Sequence, residues 1–138
     1  MRLSLTVVVT CLLLTIGVVA EAHHSAVNFW HVDREVEIEG VVKEVRIVNP
    51  HPEMVIEVTD ENGEVSLWRI NGGGHATGMI RAGWRDGTLP VGMKVTVKGN
   101  PSRQEGAKAL LAGLVTKPDG TVVNFSSGAA RTGLEVSQ

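Results

Sequence analysis

Alternation of apolar and polar residues begins at Glu35, recurs along most of the chain, and predicts a protein built mainly of strands. The longest such stretch, residues 35–51, reads as one long strand that ends at His51. Its apolar residues change parity at Gly40, which predicts a bulge or a sharp bend in the strand. The apolar positions are Val36 and Ile38 before this glycine and Val41, Val45 and Ile47 after it. A strand bent in this way can serve both halves of a small barrel.

The rest of the pattern predicts shorter strands and one helix. Further strands are expected at residues 53–59, 64–70, 93–98, 109–116 and 121–125. Residues 60–63 end in Asn-Gly, a strong turn signal, so the second and third strands are expected to form a hairpin. Three glycines (72–74) precede a short helix within residues 75–84, whose apolar side is expected to contain Met79, Ile80 and Trp84.

This order of elements predicts a mainly β fold. A long bent strand, a hairpin, a short helix and two or three more strands make a five- to six-stranded Greek-key barrel of the OB type, with the helix as a plug. The alternative is a plain β-sandwich with the helix as a surface turn. The barrel spans residues 35–125. Residues 23–34 form an N-terminal arm, which Phe29 and Trp30 are expected to hold down, and residues 126–138 a flexible tail.

Residues 1–22 have the layout of a cleaved signal peptide. Arg2 precedes an apolar run over residues 3–20, and Ala20-Glu21-Ala22 offers small residues at the positions that a signal peptidase reads. We expect cleavage after Ala22 and a periplasmic or secreted protein without a stable membrane anchor; a retained membrane anchor is the alternative. The single cysteine, Cys11, lies in this segment, so the mature chain has no disulfide and no thiolate site.

Charge and composition bear on the class of partner. The formal net charge is −2, and cleavage leaves it unchanged because it removes Arg2 together with Glu21. This balance disfavours a nucleic-acid partner. The chain also has no tyrosine and only two phenylalanines, so the aromatic platforms that bind single strands are scarce.

The histidines are the main candidate chemistry. Cleavage after Ala22 would give His23 a free α-amino group, so that this residue could bind a metal through the amine and a ring nitrogen. His51, between Pro50 and Pro52, is the candidate third ligand, and His24 is a second candidate; such a nitrogen set suits copper(II). His31 is a weaker candidate. The alternatives are an exposed terminus for His23 and His24, a ring that caps a backbone carbonyl for His51, and a helix-start residue for His75.

Other polar and aromatic residues favour plain structural roles. Gly72 to Gly74 lack the lysine and hydroxyl of a phosphate loop and read as a hinge into the helix. Glu53 and Glu57 read as the solvated side of a strand. Trp68 and Trp84 read as packing residues rather than a ligand cage. No nucleophile elbow or dinucleotide fingerprint is present, so an enzyme is the least favoured class.

Several motifs resemble a family of small exported bacterial proteins catalogued as a domain of unknown function. The matching residues are Ala22-His23-His24-Ser25, Glu39-Gly40-Val41-Val42, Asn49-Pro50-His51, Arg81-Ala82-Gly83-Trp84 and Lys94-Val95-Thr96-Val97-Lys98-Gly99. The resemblance covers about residues 22–120 and implies export and a small barrel-like domain, with no activity attached. This chain departs from the family pattern at Pro52-Glu53, where the family has an apolar or aromatic strand.

Two functions follow as expectations. The first is an exported binding protein that holds a copper(II)-class ion through His23, with His51 completing the site. The second is an OB-type interaction module that binds an envelope protein or a small ligand without metal, through Trp68, Trp84 and Arg85.

Overall fold

The computed structural model describes residues 26–126, which form a mainly β protein. Its helices are α1 (Ala26–Phe29) and α2 (Ala76–Arg81). Its strands are β1 (Val36–Arg46), β2 (Glu53–Thr59), β3 (Val65–Gly72), β4 (Lys94–Pro101), β5 (Ala109–Thr116) and β6 (Val122–Asn124). The predicted signal peptide, the candidate ligands His23 and His24, and residues 127–138 of the predicted tail lie outside the described residues.

The strands close into a barrel, which confirms the predicted OB-type fold and rules out the plain sandwich. The sheet order is β3-β2-β1-β4-β5-β6, and β3 also pairs with β5. That last pairing is parallel, from Arg69↔Ala109 to Gly72↔Ala112, and it joins the two sides of the sheet. Strand β6 pairs with the second half of β5, beyond the part that β3 occupies. The result is a five-stranded barrel with one added strand.

The barrel has two distinct ends. We call the first the loop end. Strands β1, β3 and β5 begin there and β4 ends there, with Val36 of β1 opposite Gly99 of β4. At the second, the helix end, β3 stops and α2 leads into the start of β4. Helix α2 places Met79 in the core with no exposed surface, as expected of a plug. Ile80, predicted to share its apolar side, is instead 48% exposed, because successive residues of a helix point about 100° apart and the buried side is the one that carries Ala76 and Met79.

Strand β1 differs from the prediction in two respects. It ends at Arg46, so His51 lies in the loop before β2 rather than at the end of a strand. The parity change also comes later than Gly40. Gly40 and Val42 are both buried, whereas the β1–β2 register skips Lys43 between Val42↔Ile56 and Glu44↔Val55. The bulge therefore lies at Lys43, and Val45 packs against the core beyond it.

Gly40 serves a different purpose from the predicted bend. A Cβ atom at this position would lie 2.7 Å from the carbonyl oxygen of Glu57 and 3.1 Å from side-chain atoms of Ile56 and Val58. The glycine therefore allows β2 to cross close to β1 inside the barrel. A sequence pattern shows a glycine in a strand, but it does not show which of these two reasons placed it there.

The predicted hairpin is confirmed, and so is the packing role of Trp84. Strands β2 and β3 pair from Glu53↔Asn71 to Thr59↔Val65, and Gly63 in the turn has a φ of 81°. The largest buried side chain, Trp84, packs edge-to-face on Phe125 with ring centroids 5.2 Å apart. Its indole N–H donates to the carbonyl oxygen of Asn124 at 3.1 Å. Trp84 is therefore a core residue, and its predicted contact with a partner is wrong because only 1% of it is exposed.

Candidate functional site

His51 is exposed in the loop between β1 and β2, and its ring is oriented by one hydrogen bond. Nδ1 lies 2.9 Å from the carbonyl oxygen of Gly74. A carbonyl oxygen only accepts hydrogen bonds, so Nδ1 carries the hydrogen, and in the neutral ring Nε2 carries the lone pair. Histidines that bind metals are commonly oriented by such a carbonyl partner. The same contact also fits the alternative role of His51, in which its ring caps a backbone carbonyl. The ring is oriented by Gly74 whether or not it binds a metal.

The residues around His51 hold the glycine-rich segment that precedes α2. The side-chain oxygen of Asn49 accepts the backbone N–H of Ala76, the first residue of α2, at 3.2 Å. The carbonyl oxygen of Pro52 accepts the N–H of Gly72 at 2.8 Å. Together with His51, these contacts attach the loop 49–52 to both ends of the segment 72–76. The Asn-Pro-His sequence therefore has a local structural role: it fixes the entry into the plug helix.

The side chains of the other two described histidines take no part in these contacts. His75 is exposed at the residue that precedes α2, and its side chain makes no capping hydrogen bond, which fits a helix-start residue. His31 is in the arm, where its Nδ1 lies 3.9 Å from Asp33 Oδ1. Within residues 26–126, no group of three histidine, cysteine, aspartate or glutamate side chains is arranged to hold a metal ion.

The arm and His51 lie beyond opposite ends of β1. The arm leads into the first residue of β1 and packs on the end of β4, whereas His51 follows the last residue of β1. His23 precedes Ala26 by three residues, which span at most about 11 Å of extended chain. The eleven residues of β1 alone span roughly 36 Å at about 3.3 Å per residue, so three residues of chain do not bridge the two ends of the barrel while the arm stays attached. The predicted pairing of His23 with His51 stays a prediction, and it requires the arm to leave the loop end.

The arm itself is held to the loop end of the barrel by backbone-directed contacts. Arg103 Nε donates to the carbonyl oxygens of Val27 at 2.7 Å and Trp30 at 3.1 Å. The side-chain amide of Asn100 donates to Arg34 O at 2.7 Å. Trp30 also forms a bridge to Ser102. The ring of Phe29 is 66% exposed and does not pack on the barrel, but the carbonyl oxygen of this residue accepts the backbone N–H of Arg103 at 2.9 Å, so Phe29 helps to hold the arm through its backbone.

A cleft of about 510 Å³ opens at the loop end, between the arm and the loop that joins β4 to β5. Val36 and Ile38 of β1 and Trp68 of β3 contribute its apolar lining, and all three pack partly on the core. The remaining lining comes from His31 and Arg34 of the arm and from residues 101–107. The cleft thus lies at the opposite end of the barrel from α2 and from His51.

Sequence reasoning did not identify this cleft. Its lining comes from three segments, around residues 31–38, 68 and 101–107, that lie far apart in the chain. The only local signal was Trp68, an aromatic residue on a strand, which the pattern explains equally well as packing. The structure agrees with rim packing, since Trp68 is half-buried and Lys108 Nζ lies 5.5 Å from the centre of its ring.

Charges on the outer face of the barrel are largely paired. Lys43, Lys94 and Lys98 contact Glu57, Glu39 and Glu35 at 3.1, 2.7 and 3.0 Å respectively. Glu53 lies between Arg46 and Arg69, whose Nε is 3.1 Å from its Oε1. The side chain of Glu53 is only 15% exposed, so the prediction of a solvated residue holds better for Glu57 than for Glu53. These carboxylates bind neighbouring cations and do not face each other as an acid–base pair.

Comparison with known proteins places this fold in a family. A family model described as "Family of unknown function (DUF6152)" matches residues 10–111. The chain belongs to the DUF6152 family. This confirms the predicted membership of a family of unknown function, and the match includes the Asn49–His51 loop and all of the cleft lining. No curated protein and no solved structure matches this DUF6152 chain significantly. Among residues 26–126, neither helix has the length and apolar character needed to cross a bilayer.

Proposed function

We propose that this DUF6152 protein is an exported binding protein that holds a small ligand in the cleft at the loop end of its barrel. The observation that carries the proposal is the cleft itself. Its volume of about 510 Å³ is in the range of small-molecule sites, roughly 300–1,000 Å³. It combines an apolar lining with a few polar and charged groups, which is the usual composition of such sites.

The way the arm is attached supports a preformed site. Arg103 and Asn100 both bind backbone carbonyls of the arm, so the wall that includes His31 and Arg34 is fixed without a ligand. A preformed wall reduces the ordering cost of binding. Export is supported by the predicted signal peptide and by the single cysteine within it, which together indicate a mature chain suited to an oxidising compartment.

The proposal is tested by fragment screening with the mature protein, residues 23–138, followed by two-dimensional amide NMR. A set of neutral, anionic and cationic fragments serves as the probe. We expect a subset to shift the indole N–H of Trp68 and the amides of residues 102–108. The indole N–H of Trp84, buried in the core and bonded to Asn124, is the internal reference for an intact fold.

Two matched variants sharpen this test. Ala107→Phe adds a ring within the cleft and should abolish the shifts, whereas Val91→Phe adds the same ring at a position that is 70% exposed elsewhere on the surface. Binding that survives Ala107→Phe with the Trp84 signal unchanged would contradict the proposal. A screen in which no fragment moves the cleft resonances would do so as well.

A second candidate function is metal binding, and one observation favours it. We propose that a copper(II)-class ion binds the amine and ring of the mature His23, with His51 or His24 completing the set. The bond from His51 Nδ1 to Gly74 O leaves Nε2 of an exposed ring available as a ligand. Nitrogen ligands of this type suit copper(II).

This second candidate is tested by native mass spectrometry with added copper(II). The mature chain starting at His23 is compared with the same chain acetylated at its N-terminus, with His51→Ala, and with the matched variant His75→Ala. We expect the metal to be retained by the unmodified chain and by His75→Ala, and to be bound at least about tenfold more weakly by the other two. Equally weak copper(II) binding by all four proteins would contradict this candidate function.

A further inference from the structure

The charged side chains at the cleft differ from those on the rest of the barrel surface in how they are paired. On the outer face, Lys43, Lys94 and Lys98 are each neutralised by a glutamate within 3.1 Å. At the cleft, Arg34 and Arg103 form no ion pair within the part of the chain that the structure describes, and neither does Lys108 beside Trp68. Glu105 is the one carboxylate in the lining. The cleft therefore carries an excess of positive charge.

The two cleft arginines are positioned by different contacts, and both keep donors for a ligand. Asn100 holds the carbonyl oxygen of Arg34 at 2.7 Å, which fixes its backbone while its guanidinium remains exposed. Arg103 uses its Nε–H on the carbonyls of Val27 and Trp30, so its terminal N–H groups are not engaged by those bonds. A guanidinium group offers a planar fork that matches a carboxylate.

The apolar part of the cleft lies next to these cations. Val36 and Ile38 are half-buried, and they line the cleft together with the ring of Trp68. An aromatic ring and two aliphatic side chains favour a flat or apolar ligand body. The volume of about 510 Å³ suits a single small molecule.

From this arrangement we propose that the cleft selects small organic anions: molecules with an apolar or aromatic body and one negative head group, such as a carboxylate. The body packs on Trp68, Val36 and Ile38, and Arg34 and Arg103 bind the head group. This inference rests on the proposed function of the cleft and adds the chemical class of its ligand.

The test uses two probes with the same naphthyl body, the anionic 2-naphthoate and the neutral 2-naphthamide, with the mature protein and NMR or calorimetric titration. Because hydrogen bonds to charged groups are stronger than neutral ones, we expect 2-naphthoate to bind about tenfold more tightly than the amide. This preference should shrink as salt is raised, because the arginines are exposed.

Two matched variants test whether Arg34 is responsible for the preference for 2-naphthoate over 2-naphthamide. Arg34→Gln should reduce the naphthoate preference to about twofold or less, with little change in the affinity of the amide. Arg81→Gln makes the same change at the exposed C-terminal end of α2, at the opposite end of the barrel, and should leave both affinities unchanged. An equal loss in both variants would overturn the assignment to the cleft, because it would indicate a general effect of net charge.

The failure of this inference is distinguishable from the failure of the proposed function. If both probes shift Trp68 and residues 102–108 with equal affinity, the cleft binds ligands and the anion class is wrong. If neither probe and no fragment shifts those resonances, both the ligand class and the proposed function are wrong.

Discussion

Gly99 is the position at which a single methyl group is expected to damage the barrel most clearly. It is buried near the end of β4, opposite Ala112 of β5. A Cβ atom at this position would lie 2.3 Å from the carbonyl oxygen of Leu111 and 3.0 Å from the Cα of Ala112. Both are backbone atoms, so no side chain can rotate away to make room. Gly99→Ala must therefore push β4 and β5 apart.

The size of the effect follows from these distances. Carbon–oxygen contacts of this kind are normally about 3.3–3.6 Å, so the strands must separate by roughly 1 Å. Overpacking in a well-packed core costs typically about 1–3 kcal/mol. We expect the upper part of this range, about 2–3 kcal/mol, because rigid backbone is displaced and the β4–β5 ladder is strained with it. That is a large fraction of the total stability of a typical domain, about 5–15 kcal/mol.

The matched control is Gly113, the residue of β5 that the β4–β5 register skips between Lys98↔Leu114 and Gly99↔Ala112. A Cβ atom there would have only the carbonyl oxygen of Lys98 nearby, at an ordinary 3.9 Å. Gly113→Ala should therefore be neutral or should stabilise the protein by up to about 1 kcal/mol, through the reduced entropy of the unfolded chain.

Urea unfolding monitored by tryptophan fluorescence measures both variants. With a slope of about 1–1.5 kcal/mol per molar urea, Gly99→Ala should lower the midpoint by about 2 M relative to the unmodified protein. The slope itself should stay unchanged if both variants unfold in one step. Free energies of unfolding that agree within about 0.5 kcal/mol for the two variants would refute the close approach of β4 to β5 at Gly99.

Three further predictions concern separate parts of the fold. Phe125→Ala should cost about 3–5 kcal/mol in urea unfolding, because this fully buried ring packs on Trp84, whereas Phe29→Ala, at a 66% exposed position, should cost less than about 1 kcal/mol; similar losses would contradict the assigned core. Asn49→Ala should cost about 1 kcal/mol and speed hydrogen exchange at the Ala76 amide, since that amide loses its acceptor; an unchanged exchange rate would argue against the contact. The backbone N–H of Thr121, and then its side chain, donate to Asp119 and lower the pKa of that carboxyl, so NMR titration should give a midpoint below the usual value of about 3.9. Because this pKa is lower in the folded state, the associated stabilisation is present at neutral pH and is lost as the pH falls through that midpoint, and a midpoint at or above the usual value would contradict it.

The sequence of strands along the chain was predictable because each strand depends on a local pattern. Alternation along residues 53–59 and 93–98 places one face of each strand inward whatever its partner, and the continuous apolar run at residues 109–116 predicts a buried strand. The Asn62-Gly63 turn specifies the hairpin by backbone geometry alone. The long first strand was harder. Gly40 and the bulge at Lys43 both disturb the pattern, and only the register with β2 shows that the parity changes at the second of them.

The candidate sites also differ in how much of each the local sequence reveals. The sequence by itself marked His51 as unusual, because a histidine between two prolines is visible without a structure. Only the tertiary structure decided that its ring binds Gly74 and that Asn49 holds the first amide of α2, since those partners lie more than 20 residues away. The cleft depended on the fold entirely. Closure of the barrel through β3 and β5 brings Trp68, the arm and the loop after β4 to one end, and no local pattern records which distant segments a closed sheet will place side by side.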